Sequence, residues 1–282
     1  MNKNLSIGEI LKASGILNDK QTTQILEKQR ADSIRFGDAG IALKLITKSD
    51  VDLALSQQFN YTYLSENGKN FNSELIAAYQ PFSPVVENMR AIRTQLSLRW
   101  LNTDIVNKVI ALVSPDKAVG RSFVAANLAI VFAQQGQRTL LIDADLRATA
   151  GRGQHVLFNL DKTSGLSGIL AGRGGLEAVT PVEGLPALHV LTSGALPPNP
   201  QELLGRAAFG RLLRDATGMY DVIIIDTPAA DQFSDAEIIA ARAGAVVMLA
   251  RKNKSSAPNT IQLAKRLNNN NVLIFGSILN DA

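Results

Sequence analysis

The sequence predicts a doubly wound, mostly parallel α/β sheet preceded by a small, mainly helical N-terminal domain. Three observations lead there. From Val109 onward, short continuous apolar runs alternate with segments of helical periodicity, the pattern of strands buried on both faces. Two of those runs, Leu140-Leu141-Ile142-Asp143 and Val222-Ile223-Ile224-Ile225-Asp226, deliver an acid to a strand end. The first 63 residues lack such runs and instead repeat weakly, with a spacing of 29.

Composition permits this architecture and excludes several others. The chain is 46% hydrophobic and 19% charged over 282 residues, enough apolar content for a buried core. Net charge is +4, with Lys and Arg scattered rather than clustered, so a solvated surface is expected and no nucleic-acid partner. The absence of cysteine excludes disulfides, thiolate metal sites and cysteine nucleophiles. The first residues, M-N-K-N-L-S-I-G-E-I, lack the apolar core of a signal peptide, and no apolar run reaches the length of a membrane span. The expectation is a cytoplasmic chain with no transmembrane segment of its own, recruited to the inner membrane face by a partner.

Taken in order, residues 1–63 form a two-repeat helical domain. Gly8 and Gly37, Leu17 and Ile46, Leu26 and Leu55, and Gln29 and Gln58 are equivalent positions. Each copy reads as a glycine, a short helix, a turn and a second helix ending in Gln. Asn18 or Asp19, and Thr47 or Ser49, are the candidate N-caps. Residues 64–84 read as a linker, polar and Asn-rich, with a short helix over Leu75–Tyr79 and then P-F-S-P. Residues 85–282 are the second domain. It opens with a helix over Val85–Trp100, in which Val86, Met89, Ile92 and Leu96 share a face. Glu87, Arg90 and Arg93 share another, which by itself reads as a solvated face. Strands are expected at Val109–Val113, Thr139–Asp143, Leu188–Leu191, Val222–Asp226, Ala245–Ala250 and Val272–Leu279. Helices are expected at Ser122–Gln135, Leu166–Leu170, Pro200–Ala216, Ser234–Ala241 and Ser256–Leu267.

Three motifs should meet at the carboxyl edge of that sheet. The loop Ser114–Ser122 joins an apolar strand to a helix, the frame of a phosphate loop, G-x-x-x-x-G-K-[ST]. Pro115 stands at its first glycine and Arg121 at its lysine; Gly120 and Ser122 remain. Ala118, Val119, Gly120, Arg121, Ser122 and Phe123 are the candidate nucleotide-binding residues, because backbone N–H groups at a helix start hold phosphate whatever the side chains. A planar guanidinium does not reproduce a lysine's compact contact between phosphates, so binding should survive better than transfer. Asp143 and Asp145 lie at i and i+2, which in an extended chain puts them on one side. Beside phosphate they can hold Mg²⁺ or activate a hydroxyl. Asp226 ends a Walker B-like strand. Together the motifs identify a P-loop NTPase-type sheet of the ParA/MinD-like kind, with ATP and Mg²⁺ as cofactors.

At these residues the chain resembles the bacterial tyrosine kinases, or BY-kinases. Asp143-x-Asp145 and Asp226 match their Walker A′ and Walker B motifs. Glu87-x-x-Arg90-x-x-Arg93 matches their ring-assembly motif, and Gly194 to Leu204 their Pro-Pro-Asn-Pro segment. The loop with Arg121 and the appended N-terminal domain resemble the EpsG-type branch of exopolysaccharide chain-length control. The resemblance implies Mg-ATP phosphoryl transfer to a protein tyrosine, with Asp143 as base and Ser122, Asp145 and Asp226 around Mg²⁺. Arg121 and Asp145 complete the catalytic set. It also implies a homo-oligomer, in which Glu87 meets Arg90 and Arg93 of another subunit, and a membrane chain-length or export protein as partner. Residues 1–63 resemble the MshEN type of secretion and pilus ATPases, whose paired motifs can bind cyclic di-GMP. Arg35-Phe36-Gly37 matches such a motif, which implies a contact at Arg35. The equivalent Ser6-Ile7-Gly8 lacks the arginine.

There are departures. BY-kinases end in a tyrosine cluster, whereas the four tyrosines here are Tyr61, Tyr63, Tyr79 and Tyr220, so tail autophosphorylation is not expected. Tyr61 and Tyr63 read mainly as packing residues. His155 and His189 are too far apart in sequence, and too short of partners, for a metal pair. Arg251-Lys252-Asn253-Lys254 follows a strand and could meet the nucleotide base or an anionic partner, with a solvated loop the favoured reading. Two further readings stand: a non-catalytic nucleotide-sensing module of polysaccharide export, and a ParA/MinD-type ATPase. The latter requires a signature lysine where Asp116 stands, with Lys117 one place off.

Overall fold

The computed structural model describes residues 5–58, 64, 71–101, 108–149, 151–162 and 165–281. Tyr61 and Tyr63 lie outside the described residues. The chain divides into two compact units, Met1–Lys69 and Asn70–Ala282.

Among its described residues the first unit holds four helices: α1 (Ile7–Ala13), α2 (Asp19–Asp32), α3 (Phe36–Ala42) and α4 (Lys48–Gln58). The repeat is visible as two helix–turn–helix pairs. Asn18 caps α2 and is answered by Gln21, while Thr47 and Asp50 bond reciprocally at the start of α4. Of the alternative caps, Asn18 and Thr47 fill the role. Leu17 and Ile46, equivalent in the two copies, are both buried, with Ile10, Leu11, Ile25, Ala39 and Ala54 completing the core.

The second unit is a seven-stranded sheet. Its strands are β1 (Val109–Val113), β2 (Thr139–Asp143), β3 (Thr180–Val182), β4 (Leu185–Leu191), β5 (Val222–Asp226), β6 (Ala245–Arg251) and β7 (Leu273–Asn280). The order is β3-β4-β2-β5-β1-β6-β7, and every pair is parallel except β3 with β4. The residues of β1, β2 and β5 are all buried, as the unbroken apolar runs require. The helices are α5 (Ile76–Tyr79), α6 (Pro84–Leu96), α7 (Arg121–Ala133), α8 (Gln154–Leu157), α9 (Leu166–Leu170), α10 (Pro200–Gly205), α11 (Ala207–Thr217), α12 (Asp235–Ala243) and α13 (Ala257–Asn269).

Three expectations need correction. The single helix over Pro200–Ala216 is two helices, because Gly205 ends α10 and Arg206 is extended at ψ 150°. Strand β3 and helix α8, three and four residues long, were too short to show a period. The third concerns residues 71–84, expected as linker, which form a strap packed into the second unit. Ala77 N–H donates to Asn127 Oδ1 (2.8 Å), Asn127 Nδ2 donates to the Glu74 carbonyl (3.0 Å), and Gln134 Nε2 donates to the Ala77 carbonyl (2.8 Å). The buried polar face of α7 thus answers the strap's backbone groups.

Helix α6 begins at Pro84 with Ser83 as cap and runs into a π turn over Ser97–Leu101. Val86, Met89 and Leu96 are buried. Tyr79 and Tyr220 are both buried. Among the described residues, no helix is long and apolar enough to cross a membrane.

Candidate active site

The site forms where β1, β2 and β5 end. From β1 the chain enters the loop Ser114–Gly120 and then α7. Gly120 caps α7 at φ 94°, and a Cβ there would lie 2.6 Å from Asn280 Nδ2, so both conformation and space call for glycine. No side chain caps α7, which leaves its first-turn N–H groups for an anion.

A cavity of about 650 Å³ borders this loop. All six loop residues singled out from the sequence, Ala118 to Phe123, line it, with Asp145, Arg147, Gly153, Asp231 and Phe233 across from them. Its size suits a nucleotide.

Asp143 and Asp226 lie behind the cavity, fully buried, and face each other as register partners of β2 and β5. Both oxygens of Asp143 accept backbone N–H groups, from Asp145 (3.2 Å) and Gln154 (2.9 Å). Asp226 Oδ2 accepts from Gln154 Nε2 (2.8 Å). The expectation that Asp143 and Asp145 point to one side does not hold. Strand β2 ends at Asp143, Ala144 N–H turns to the Asp226 carbonyl (2.9 Å), and only Asp145 reaches the cavity.

The electrostatics follow from this crowding. Burial, and then the charge of Asp226, push Asp143 up to about 8. Burial raises Asp226 as well, against the opposing pull of Arg121, Ser122 and Gln154. Asp145 is raised by burial. Burial holds all three carboxyls toward their protonated forms, and among the described residues no group of three or more His, Cys, Asp or Glu could hold a metal ion by itself. Ser122, Asp145 and Asp226 offer hard oxygen ligands, and Asp226 Oδ1 is buried without a partner among the described residues. That donor set fits Mg²⁺, which takes few protein ligands and completes its shell with water and phosphate.

Arg121 behaves as a clamp. Its Nε donates to the Thr227 carbonyl (2.9 Å), and Nη1 donates to the Asp116 carbonyl (3.0 Å) and to the Ser114 hydroxyl. The guanidinium therefore ties the start of the loop to the end of β5. Nη2 has no acceptor among the described residues and remains available to the cavity. Burial lowers the Arg121 pKa from the ordinary guanidinium value.

Several residues at the site were not foreseen. Gln154 joins Asp143, Asp226 and, at 3.2 Å, the Ser122 carbonyl. Arg147 pairs with buried Asp235 (2.6 Å) and stacks on Phe233 at 3.7 Å. Arg251 and Lys254 each reach the Ala118 carbonyl at 3.3 Å, so this segment, expected to be only solvated, braces the phosphate loop. Asn280 Nδ2 does the same at Val119 (3.0 Å). Lys117 pairs with Asp231 (3.1 Å). Arg251, Lys254, Asn280 and Asp231 lie more than 100 residues from the loop residues they meet, and no local pattern announces them.

A protein-family model described as an AAA domain matches residues 107–271. The putative tyrosine-protein kinase EpsB of Ralstonia nicotianae is 36% identical over 233 residues, which is 82% of this chain and 29% of that protein. The tyrosine-protein kinase YwqD of Bacillus subtilis is 34% identical over 213 residues, covering 76% of this chain and 88% of its own. The kinase domain of the Escherichia coli tyrosine kinase ETK superposes with a TM-score of 0.68 at 35% identity, over 74% of this chain and 80% of that one. The chain belongs to the bacterial tyrosine-kinase family. It spans under a third of the length of EpsB, and most of YwqD.

The candidate assembly residues lie on α6. Glu87 pairs with Arg90 within the chain, and Arg93 Nη1 donates to the Val131 carbonyl (2.8 Å). Glu87 is largely exposed. In the first unit, Arg35 precedes α3 without capping it. A cavity of about 510 Å³ in that unit is lined by residues including Gly8, Lys12, Gln29, Phe36 and Gln58, and Arg35 is not among them.

Proposed function

We propose that the second unit binds Mg-ATP and transfers its γ-phosphoryl group to a tyrosine of a protein in exopolysaccharide chain-length control. The observation that carries this reading is the cavity itself. It is bordered by a phosphate loop with an uncapped helix start, Asp145 stands at its wall, and the register-paired acids Asp143 and Asp226 are buried behind it. Backbone N–H groups of α7 hold phosphate oxygens, and Nη2 of Arg121 adds positive charge. When bound, Mg²⁺ neutralises phosphate charge next to Ser122, Asp145 and Asp226. The tyrosine oxygen bonds to the γ-phosphorus, the bond to the ADP oxygen breaks, and the phenol proton goes to a carboxylate. Asp145 is the acid placed to take it. Asp143, the base implied by resemblance, already has both oxygens engaged by backbone N–H groups.

Titration calorimetry with Mg-ATP, followed by phosphosite mapping with and without a candidate membrane chain-length protein, tests the reading. Binding that is lost in Asp226→Asn and weakened in Ser122→Ala, with phosphotyrosine formed on the partner, is expected. No binding by the native chain would sink it.

One observation favours a second reading, a nucleotide-sensing assembly module of weak or no activity: Arg121 gives its Nη1 donors to the loop and its Nε to Thr227 rather than to the cavity. Binding without phosphotyrosine would select it. Under either reading the chain works as a homo-oligomer through Glu87, Arg90 and Arg93, and Glu87→Ala should lower its mass in solution. The EpsG-type assignment rests on Arg121 and the appended helical unit. We read that unit as an MshEN-like docking module; Arg35 lies off its cavity, which speaks against a cyclic di-GMP site.

A further inference from the structure

We propose that Gln154 is a positioning residue of the divalent-cation site, fixing Asp226 through its amide nitrogen and offering its amide oxygen to the cation's water shell. The inference rests on the nucleotide-site reading above and adds a residue that neither the motifs nor the family resemblance supplies.

Gln154 is fully buried at the start of α8. One residue ties together the ends of β2 and β5 and the start of α7. Its backbone N–H donates to Asp143, and its side-chain nitrogen donates to Asp226 Oδ2 and to the Ser122 carbonyl. The Ser122 carbonyl is a pure acceptor, so the NH₂ end of the amide faces it, and this orients the side chain. Gly153 packs the turn down from above: its φ is 119°, and a Cβ there would lie 2.8 Å from Asp143 Oδ2.

The orientation leaves two atoms over. Gln154 Oε1 and Asp226 Oδ1 are both buried with no partner among the described residues. Buried acceptors of this kind are normally answered by a donor. These two belong to side chains already bonded to each other, and the waters around a bound cation would supply the donors both atoms lack. A neutral amide adds an oxygen beside Asp143 and Asp226 without adding a charge.

The test is calorimetry of ADP binding with and without Mg²⁺, read as the factor by which Mg²⁺ tightens ADP. In Gln154→Leu, ADP alone should bind within about twofold of the native chain, while the Mg²⁺ enhancement falls by about tenfold, the usual effect of removing an outer-shell ligand partner. Gln154→Glu provides an independent arm in the absence of nucleotide. It sets a carboxylate against Asp226, so its melting temperature without divalent cations should fall below the native value and rise more steeply with MgCl₂. A native Mg²⁺ enhancement in Gln154→Leu, together with a native MgCl₂ response in Gln154→Glu, overturns the proposal. If the native chain binds no ADP at all, the nucleotide-site reading fails, and the Gln154→Glu melting response still decides the role of Gln154 by itself.

Discussion

At residue scale, Arg121 shows how one substitution in a consensus is absorbed. From the sequence it is a lysine position with the wrong cation. In the structure its planar fork reaches three acceptors on two segments, which a single ammonium does not span. Arg121→Lys is therefore expected to loosen the loop. Stability should fall by about 2 kcal/mol, the scale of lost charged hydrogen bonds, as measured by urea unfolding. If the clamp is what withholds charge from phosphate, the same variant should gain kinase turnover; unchanged turnover would favour the sensing module. Asp143 gives a second prediction. Its carboxyl value rises from 3.8 unfolded to about 8 folded, so the folded state holds its proton more tightly. Stability contributed by that proton is present at low pH and lost as pH rises through about 8. Asp143→Asn should leave the melting temperature at pH 4 nearly unchanged and raise it at pH 8 by about 3–6 °C. An equal shift at both pH values would show that burial alone, without titration, sets the difference.

At the scale of elements, the strands that carry the acids were readable because a buried parallel strand writes its whole length in one run of apolar residues. The boundaries of β1, β2 and β5 match those runs. Helix α8 was not readable, since four residues make barely one turn and no period. The strap over residues 71–84 was misread for a physical reason. Its Asn-rich, Pro-bounded composition is that of a linker, and the groups that satisfy its backbone come from Asn127 and Gln134, 50 and more residues on. Asn127→Leu keeps the volume and removes both hydrogen-bond functions, leaving the Ala77 N–H and the Glu74 carbonyl without their partners. A loss of about 2–4 kcal/mol is expected in urea unfolding, with protease cleavage appearing first within residues 71–84. Stability within about 0.5 kcal/mol of native would mean that the strap is held by packing instead.

At the scale of the molecule, the helical unit and the sheet unit each close their own core. Scanning calorimetry of the full chain should show two transitions, with Mg-ADP raising only the larger; a single transition raised as a whole would show the units to be thermodynamically one. The two-repeat pattern was legible because equivalent positions such as Leu17 and Ile46 serve equivalent cores. The site's wider support was not, because Arg251, Lys254, Asn280 and Asp235 reach it only through the tertiary fold.

The pairing of Asp143 with Asp226 has one more consequence. In a parallel sheet, a shift of one residue between β2 and β5 turns every side chain of the slipped strand to the opposite face. Ile142 or Ile225 would then stand where an acid belongs, and a carboxylate would enter the core on the other side. Correct strand alignment and a working phosphate pocket are thus a single event for this chain. Each slip therefore costs the pocket its acids and the core a buried carboxylate at once.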